Sequence, residues 1–251
     1  MTPPAGLRRP DYSAHAETYA LARPAYPAEL FDWLGSLGPN DAAWDCATGS
    51  GQAARELARS FARVTATDLS ARQIAQAMSL PNVEYRVAPA DHGGLPDASV
   101  DLITVATAIH WFDLPAFYRE VARVLRPGGV LAAWTYHVCY LDPPFEELFA
   151  RFYRDVLAPY FAPGARLVDD RYAGIVLPGE PIAAPTFTMT ARWPRAGLLD
   201  FIDSWSGTQA YREREGRDPI DEIRDELHAL WSDPEQRYEL RWPLFMRAAR
   251  L

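Results

Sequence analysis

Residues 42–57 read AAWDCATGSGQAAREL. A short apolar run closes on a carboxylate, Asp45, a loop of small residues follows, and the chain then turns to apolar positions at helical spacing. A charge at the end of a buried strand is costly unless something pairs with it. This stretch therefore poses both the fold and the function as one question: what does Asp45 face?

Working outward, apolar runs alternate with helical stretches from residue 42 to 136. The pattern predicts strands at 42–46 (AAWDC), 63–67 (RVTAT), 83–87 (VEYRV), 100–106 (VDLITVA) and 130–136 (VLAAWTY). They are short and apolar, as a sheet covered on both faces requires. Helices are predicted at 52–61, 71–78 and 114–125, with Ser70 and Asp113 as N-caps of the last two. The LRPGG segment (125–129) reads as the turn that ends the third helix. Strand, helix, strand repeated in this way predicts an α/β fold with a parallel sheet and right-handed crossovers.

The flanks are less regular. One or two helices are expected within 11–38, split near RPAYP (23–27), and a helical stretch over 143–173 is broken by Pro159 and Pro163. TFTMTARW (186–193) alternates like a strand, helical patterns resume at 196–205 and 218–231, and YELRWPLFMRA (238–248) reads as a last strand. An antiparallel hairpin edge with helices inserted between its strands follows. The chain is expected to be a single domain over 1–251. Its core would span about 28–136 and 182–251, with lid elements from 1–27, 137–180 and 195–232.

Composition narrows the chemistry. All 25 lysine-plus-arginine positions are arginine, so Schiff-base catalysis, pyridoxal phosphate attachment and the GxxxxGK[ST] phosphate loop are excluded. A net charge of −8 with scattered arginines argues against nucleic acid as a partner. No apolar run approaches the ~20 residues of a membrane span, and MTPPAGLRRPDYS does not read as a signal peptide. Cys46 and Cys139 match no disulfide or zinc spacing, which points to a cytoplasmic protein. His15, His137 and His228 show no ligand spacing, so no metal is expected. Nothing in the pattern fixes an oligomeric state.

Ligands of open α/β sheets sit at the carboxyl ends of strands where the order reverses. Gly49 and Gly51 let a ligand approach the backbone, and Ala54 lets the helix pack on the strand. The spacing G-S-G-Q-A-A satisfies the dinucleotide fingerprint, and Asp68 stands where a carboxylate holds ribose hydroxyls, so an NAD oxidoreductase is one reading. Asp45 favours another. A carboxylate beside the glycines repels a pyrophosphate, which wants N–H groups and a helix N-terminus, but attracts an ammonium. S-adenosylmethionine offers an ammonium, a sulfonium, a ribose and an adenine. Asp45 would take the amino end, Asp68 the ribose diol, and Asp91 the adenine amino group.

DCATGSGQA (45–53), ATDLS (66–70), Ala90–Asp91, DASVDLITVATAIHWFD (97–113) and LRPGG together resemble the class I SAM-dependent methyltransferases, in that family's order and spacing. The type 11 group related to trans-aconitate methyltransferase is the nearest likeness, through RPAYP, the HWF segment, SWSGTQAYRERE (204–215) and LRWPLFMR (240–247). The resemblance implies a Rossmann-like seven-stranded, mostly parallel sheet with its last strand antiparallel, plus helical lid inserts. It implies methyl transfer from S-adenosylmethionine to a small-molecule acceptor, a carboxylate among the candidates, with S-adenosylhomocysteine as product. Carried over by position, it assigns cofactor contact to Arg23, Asp45, Thr48, Gly49, Gly51, Asp68, Leu69, Gln73, Ala90, Asp91, Thr107 and Trp111. Cys46 departs from the family's small or apolar residue.

His110 is the catalytic candidate, either as a general base or as a group that orients the acceptor; the alternative is that HWF only packs the loop. Arg151, Arg166 and Arg192 are candidates to hold a carboxylate acceptor. A methyltransferase-fold regulator that binds the cofactor without transferring its methyl is the remaining alternative.

Overall fold

The structure, a computed structural model, describes residues 23–251. His15 and the first part of the 11–38 helical expectation lie outside the described residues. The elements in chain order are α1 (Ala28–Gly35), β1 (Ala42–Cys46), α2 (Gln52–Leu57), β2 (Arg63–Asp68), α3 (Ala71–Ala75), β3 (Val83–Val87), β4 (Val100–Ala106), α4 (Leu114–Val124) and β5 (Leu125–Thr135). There follow α5 (Phe145–Arg151), α6 (Arg166–Asp169), β6 (Glu180–Pro181), β7 (Phe187–Trp193), α7 (Arg195–Asp203), α8 (Ser206–Glu215), α9 (Arg224–Leu230) and β8 (Tyr238–Arg250). The chain divides into two compact units. The sheet unit holds Ala25–His137, Arg166–Thr188 and Pro243–Leu251; the helical unit holds Val138–Ala165 and Met189–Trp242, with residues 23 and 24.

The sheet runs β3-β2-β1-β4-β5-β8-β6, with β7 also paired to β8. β1 to β5 are mutually parallel, and β8 is antiparallel to β5. This is the mostly parallel Rossmann-like sheet with an antiparallel last strand; the two-residue β6 brings the count to eight. The order reverses between β1 and β4, so their carboxyl ends form the switch point. All five residues of β1 are buried, Asp45 included. Beneath it, Trp44 is fully enclosed, donates from Nε1 to Thr67 Oγ1 at 2.9 Å, and meets the Phe117 ring edge-on at 6.3 Å.

The predicted caps form. Ser70 accepts from the Gln73 amide at the start of α3, and Asp113 accepts from the Ala116 amide at 3.1 Å at the start of α4. Asp113→Ala leaves that amide unsatisfied and is expected to cost about 1 kcal/mol. In a chain of this size that lowers the melting temperature by roughly 2–4 °C, checked by thermal unfolding.

LRPGG is not a simple turn. Leu125 already pairs with Val100, the next four residues loop out, and Val130 resumes pairing at Leu102. The excursion is held from a distance. Arg126 donates to Asp101 at 2.8 Å and to Asp41 at 2.9 Å, and the amide of Gly128, at φ +80°, donates to the Leu251 carbonyl. Asp101, itself buried, also accepts the amides of Asp41 and Ala42. This network ties down the amino ends of β1 and β4, opposite their carboxyl ends at the switch point.

The helical unit is organised by aromatic rings. Trp242 lies 5.2 Å from Trp193 and 5.3 Å from Phe201, and Phe145, Trp231 and Tyr238 form a second group. A Cβ on Gly207 would come within 2.7 Å of the Phe161 ring, so only glycine permits that approach. No helix among the described residues is long and apolar enough to cross a membrane.

Candidate active site

Asp45 faces two hydroxyls. Thr48 Oγ1 donates to its Oδ2 at 2.5 Å, and Thr104 Oγ1, directly across the pairing on β4, donates to its Oδ1 at 2.8 Å. Burial pushes the carboxyl up to about 6, against the pull of the two hydroxyls and the Ala54 amide, and the nearby charge of Asp68 adds to the rise. Its surroundings thus supply hydrogen bonds and a further negative charge, a combination suited to a cation.

The glycine loop bends around this group. Ala47, Gly49 and Gly51 all take left-handed φ values, of +58°, +58° and +84°. The loop is pinned to β2 by the Thr48 amide on the Thr67 carbonyl and by the Gly49 amide on Asp68 Oδ2, both at 2.9 Å. Asp68 Oδ1 accepts the Ser70 amide at 2.8 Å. Two neighbouring strands therefore present carboxylates on either side of one loop, and Asp68 keeps lone pairs for further donors. Leu69 follows, 52% exposed, and Val87 at the end of β3 is 57% exposed, so apolar surface lies open at this edge. Gln73 is buried at the start of α3, with its side-chain oxygen on the open side of Gly49. Ala90 is half-buried and Asp91 exposed beyond β3.

At the end of β4, Thr107 adopts φ +54°, a strained conformation for a β-branched residue. Its amide donates to the Trp134 carbonyl at 2.7 Å, and Tyr26 Oη lies 3.5 Å from its hydroxyl. Three residues on, His110 is 9% exposed, with Nδ1 2.7 Å from Tyr172 Oη. Burial pushes its pKa down to about 4, so the ring is neutral at pH 7. Trp111 is half-buried, its ring 4.7 Å from that of His110.

The sheet unit thus gathers Asp45, Thr48, Gly49, Gly51, Asp68, Leu69, Gln73, Ala90 and Asp91 along the ends of β1 to β3, and Thr107, His110 and Trp111 along the end of β4. Arg23 belongs to the helical unit, where its guanidinium lies 5.2 Å above the Phe201 ring. Arg151 is paired with Glu226 in that same unit. Sequence reasoning missed Thr104, Tyr26 and Tyr172. Thr104 had a signal, as the lone hydroxyl inside VDLITVA, because a buried polar side chain needs a partner. Tyr172 had none, lying 62 residues from its histidine.

Comparison with known proteins identifies the family. Residues 44–133 match a methyltransferase domain model. The chain is 31% identical over 243 residues to a protein of Dictyostelium discoideum named as a methyltransferase, covering 94% of this chain and 92% of that one. It is 32% identical to the demethylmenaquinone methyltransferase of Mycobacterium marinum over 71% of each. A solved structure from Anaeromyxobacter dehalogenans, described as a type II methyltransferase, superposes with a TM-score of 0.84 at 43% identity, over 91% of this chain and 97% of that one. The protein belongs to the class I SAM-dependent methyltransferases. These likenesses carry the family and not the trans-aconitate subgroup.

Proposed function

We propose that this enzyme moves the methyl group of S-adenosylmethionine to an oxygen of a small carboxylic acid, with cofactor contacts made by the carboxylates and the loop at the ends of β1 to β3. The observation that carries the cofactor assignment is Asp45, a buried carboxylate whose neighbours are two hydroxyls, an amide and a second acid. An ammonium completes that environment. Asp68 takes the ribose hydroxyls beside the Gly49 amide, Leu69 covers an adenine face, Asp91 accepts from the adenine amino group, and Thr48, Gly49, Gly51, Gln73, Ala90, Thr107 and Trp111 shape the remaining surface.

When bound, the cofactor supplies a methyl carbon already activated by its sulfonium. The chain's own part is to hold an acceptor oxygen in line with that carbon and to exclude water. The neutrality of His110 bears on the choice of acceptor. A ring whose pKa lies near 4 draws protons weakly at pH 7. A carboxylate is already ionised and needs no base, which, together with the trans-aconitate resemblance, favours it over a hydroxyl or an amine.

Two measurements test this. At ten times its dissociation constant, S-adenosylhomocysteine should stabilise the chain by about 1.4 kcal/mol, raising the melting temperature by roughly 3–6 °C, whereas NAD(H) should leave it unchanged. S-adenosylhomocysteine release should then be screened over mono-, di- and tricarboxylic acids. A product methyl that is lost on mild alkaline hydrolysis marks an ester and supports the proposal. Turnover confined to amines, phenols or quinols would overturn the acceptor assignment, and cofactor binding with no turnover on any acceptor class would leave the regulator.

A further inference from the structure

Tyr172 is held in an expensive conformation. It is completely buried, yet its φ is +56°, and Arg171 before it stands at +54°. Left-handed backbone is costly for residues with a Cβ, and more so for bulky ones. The pair closes α6. The Arg171 amide donates to the Val168 carbonyl and the Tyr172 amide to the Leu167 carbonyl, the paired bonds of a Schellman ending with arginine where glycine is usual. Both ends of the pair are anchored. The Arg171 guanidinium lies 5.1 Å above Phe245, and Leu167, Val168, Tyr172, Ile175 and Leu177 pack into the core around Ile109. Strain of this kind persists where the surroundings over-determine it, and it clusters at functional sites.

What the strain achieves is the placement of one phenol oxygen 2.7 Å from Nδ1 of His110. A neutral imidazole has one N–H and one lone pair, and the partner of one nitrogen decides which nitrogen is which. Tyr172 Oη can occupy either role in principle, but the chemistry is unequal. A phenol is a strong donor and a weak acceptor, because its lone pair is shared with the ring, whereas the unprotonated imidazole nitrogen is a strong acceptor. Building on the acceptor reading above, we propose that Tyr172 donates its hydroxyl hydrogen to Nδ1, locking His110 in the tautomer that carries its hydrogen on Nε2. His110 is then a hydrogen-bond donor that orients an acceptor oxygen, and is not available at Nε2 as a base. Tyr172 is a positioning residue that acts through the histidine. Of the two roles the sequence left open for His110, this selects the second.

The test is a long-range proton–nitrogen correlation spectrum of the full chain labelled on its histidine ring nitrogens, recorded at pH 7 without substrate. His110→Gln identifies the His110 signals by their disappearance. The expected wild-type spectrum has Nδ1 at the downfield position of an unprotonated nitrogen and Nε2 at that of a protonated one. Tyr172→Phe keeps the ring's packing and removes the hydroxyl, so the ratio of the two tautomers should fall by roughly fivefold or more, the equivalent of one hydrogen bond. A wild-type ring protonated on Nδ1 would overturn the proposal, as would a tautomer ratio unmoved in a folded Tyr172→Phe variant. The wild-type spectrum decides the sign even if that variant does not fold. Because no methyl acceptor enters the measurement, a failure here is separate from a failure of the carboxylate assignment.

Discussion

Asp68→Ala is expected to raise the dissociation constant for S-adenosylhomocysteine by about 10- to 150-fold, or roughly 1.5–3 kcal/mol. The carboxylate does two things at once. Its oxygens accept the Gly49 and Ser70 amides, which sets the height of the glycine loop against β2, and on the proposed assignment their remaining lone pairs take a ribose diol. Alanine removes both and leaves the two amides to water. Asp68→Asn separates the effects, since one amide oxygen can hold the loop or a hydroxyl but lacks the charge that strengthens both bonds. Titration calorimetry should therefore rank affinity as wild type, Asn, then Ala. An unchanged affinity in the alanine variant would sink the ribose assignment.

Asp45→Asn should produce opposite effects on fold and function. Burial holds the Asp45 carboxyl at about 6 in the folded chain, against roughly 4 in an unfolded one. Below pH ~4 the group is protonated in both states and imposes no charge penalty. Between about 4 and 6 the unfolded chain ionises while the folded one keeps its proton, so stability drains away as pH rises. Above about 6 the loss is complete, at two pKa units or on the order of 3 kcal/mol. Asparagine removes that charge but hydrogen-bonds less well with the two threonine hydroxyls, so the net gain at pH 8 should be on the order of 2 kcal/mol, or roughly 4–8 °C in melting temperature. The gain should vanish toward pH 4. Cofactor affinity at pH 8 should fall at the same time, the trade-off expected where a destabilising group exists for its ligand. A variant that melts lower than wild type at pH 8 would mean that the carboxylate is structural, and the ammonium assignment would fail.

The contrast between what the sequence made legible and what it did not has a physical basis. β1 and β4 could be read to the residue because strands buried on both faces must be short and apolar, and Ser70 and Asp113 could be read as caps because capping is local. Asp45 and Asp68 stood out as candidates because a charge at the end of an apolar run is out of place. The β5 excursion was not, because Asp101 and Leu251 hold it from 25 and 123 residues away from the residues they bind. Nor was the partner of Asp45 on β4, or the tyrosine on His110. A left-handed Tyr172 leaves no trace where glycine would have announced one. Local rules fixed the frame, and long-range hydrogen bonds finished the site.

The two cysteines have a use of their own. Cys46 ends β1 in the sheet unit and Cys139 lies in the helical unit. Both are buried and free, Cys46 completely so. Burial raises both thiols above their ordinary range, Cys139 to about 12, and the Asp45 charge raises Cys46 further. A thiol that is closed off and protonated reacts only when its surroundings open. The rate at which a disulfide reagent labels each one therefore times the opening of its own unit, and cofactor held at the glycine loop should slow the Cys46 reaction. Nature has left one stopwatch in each half of the chain.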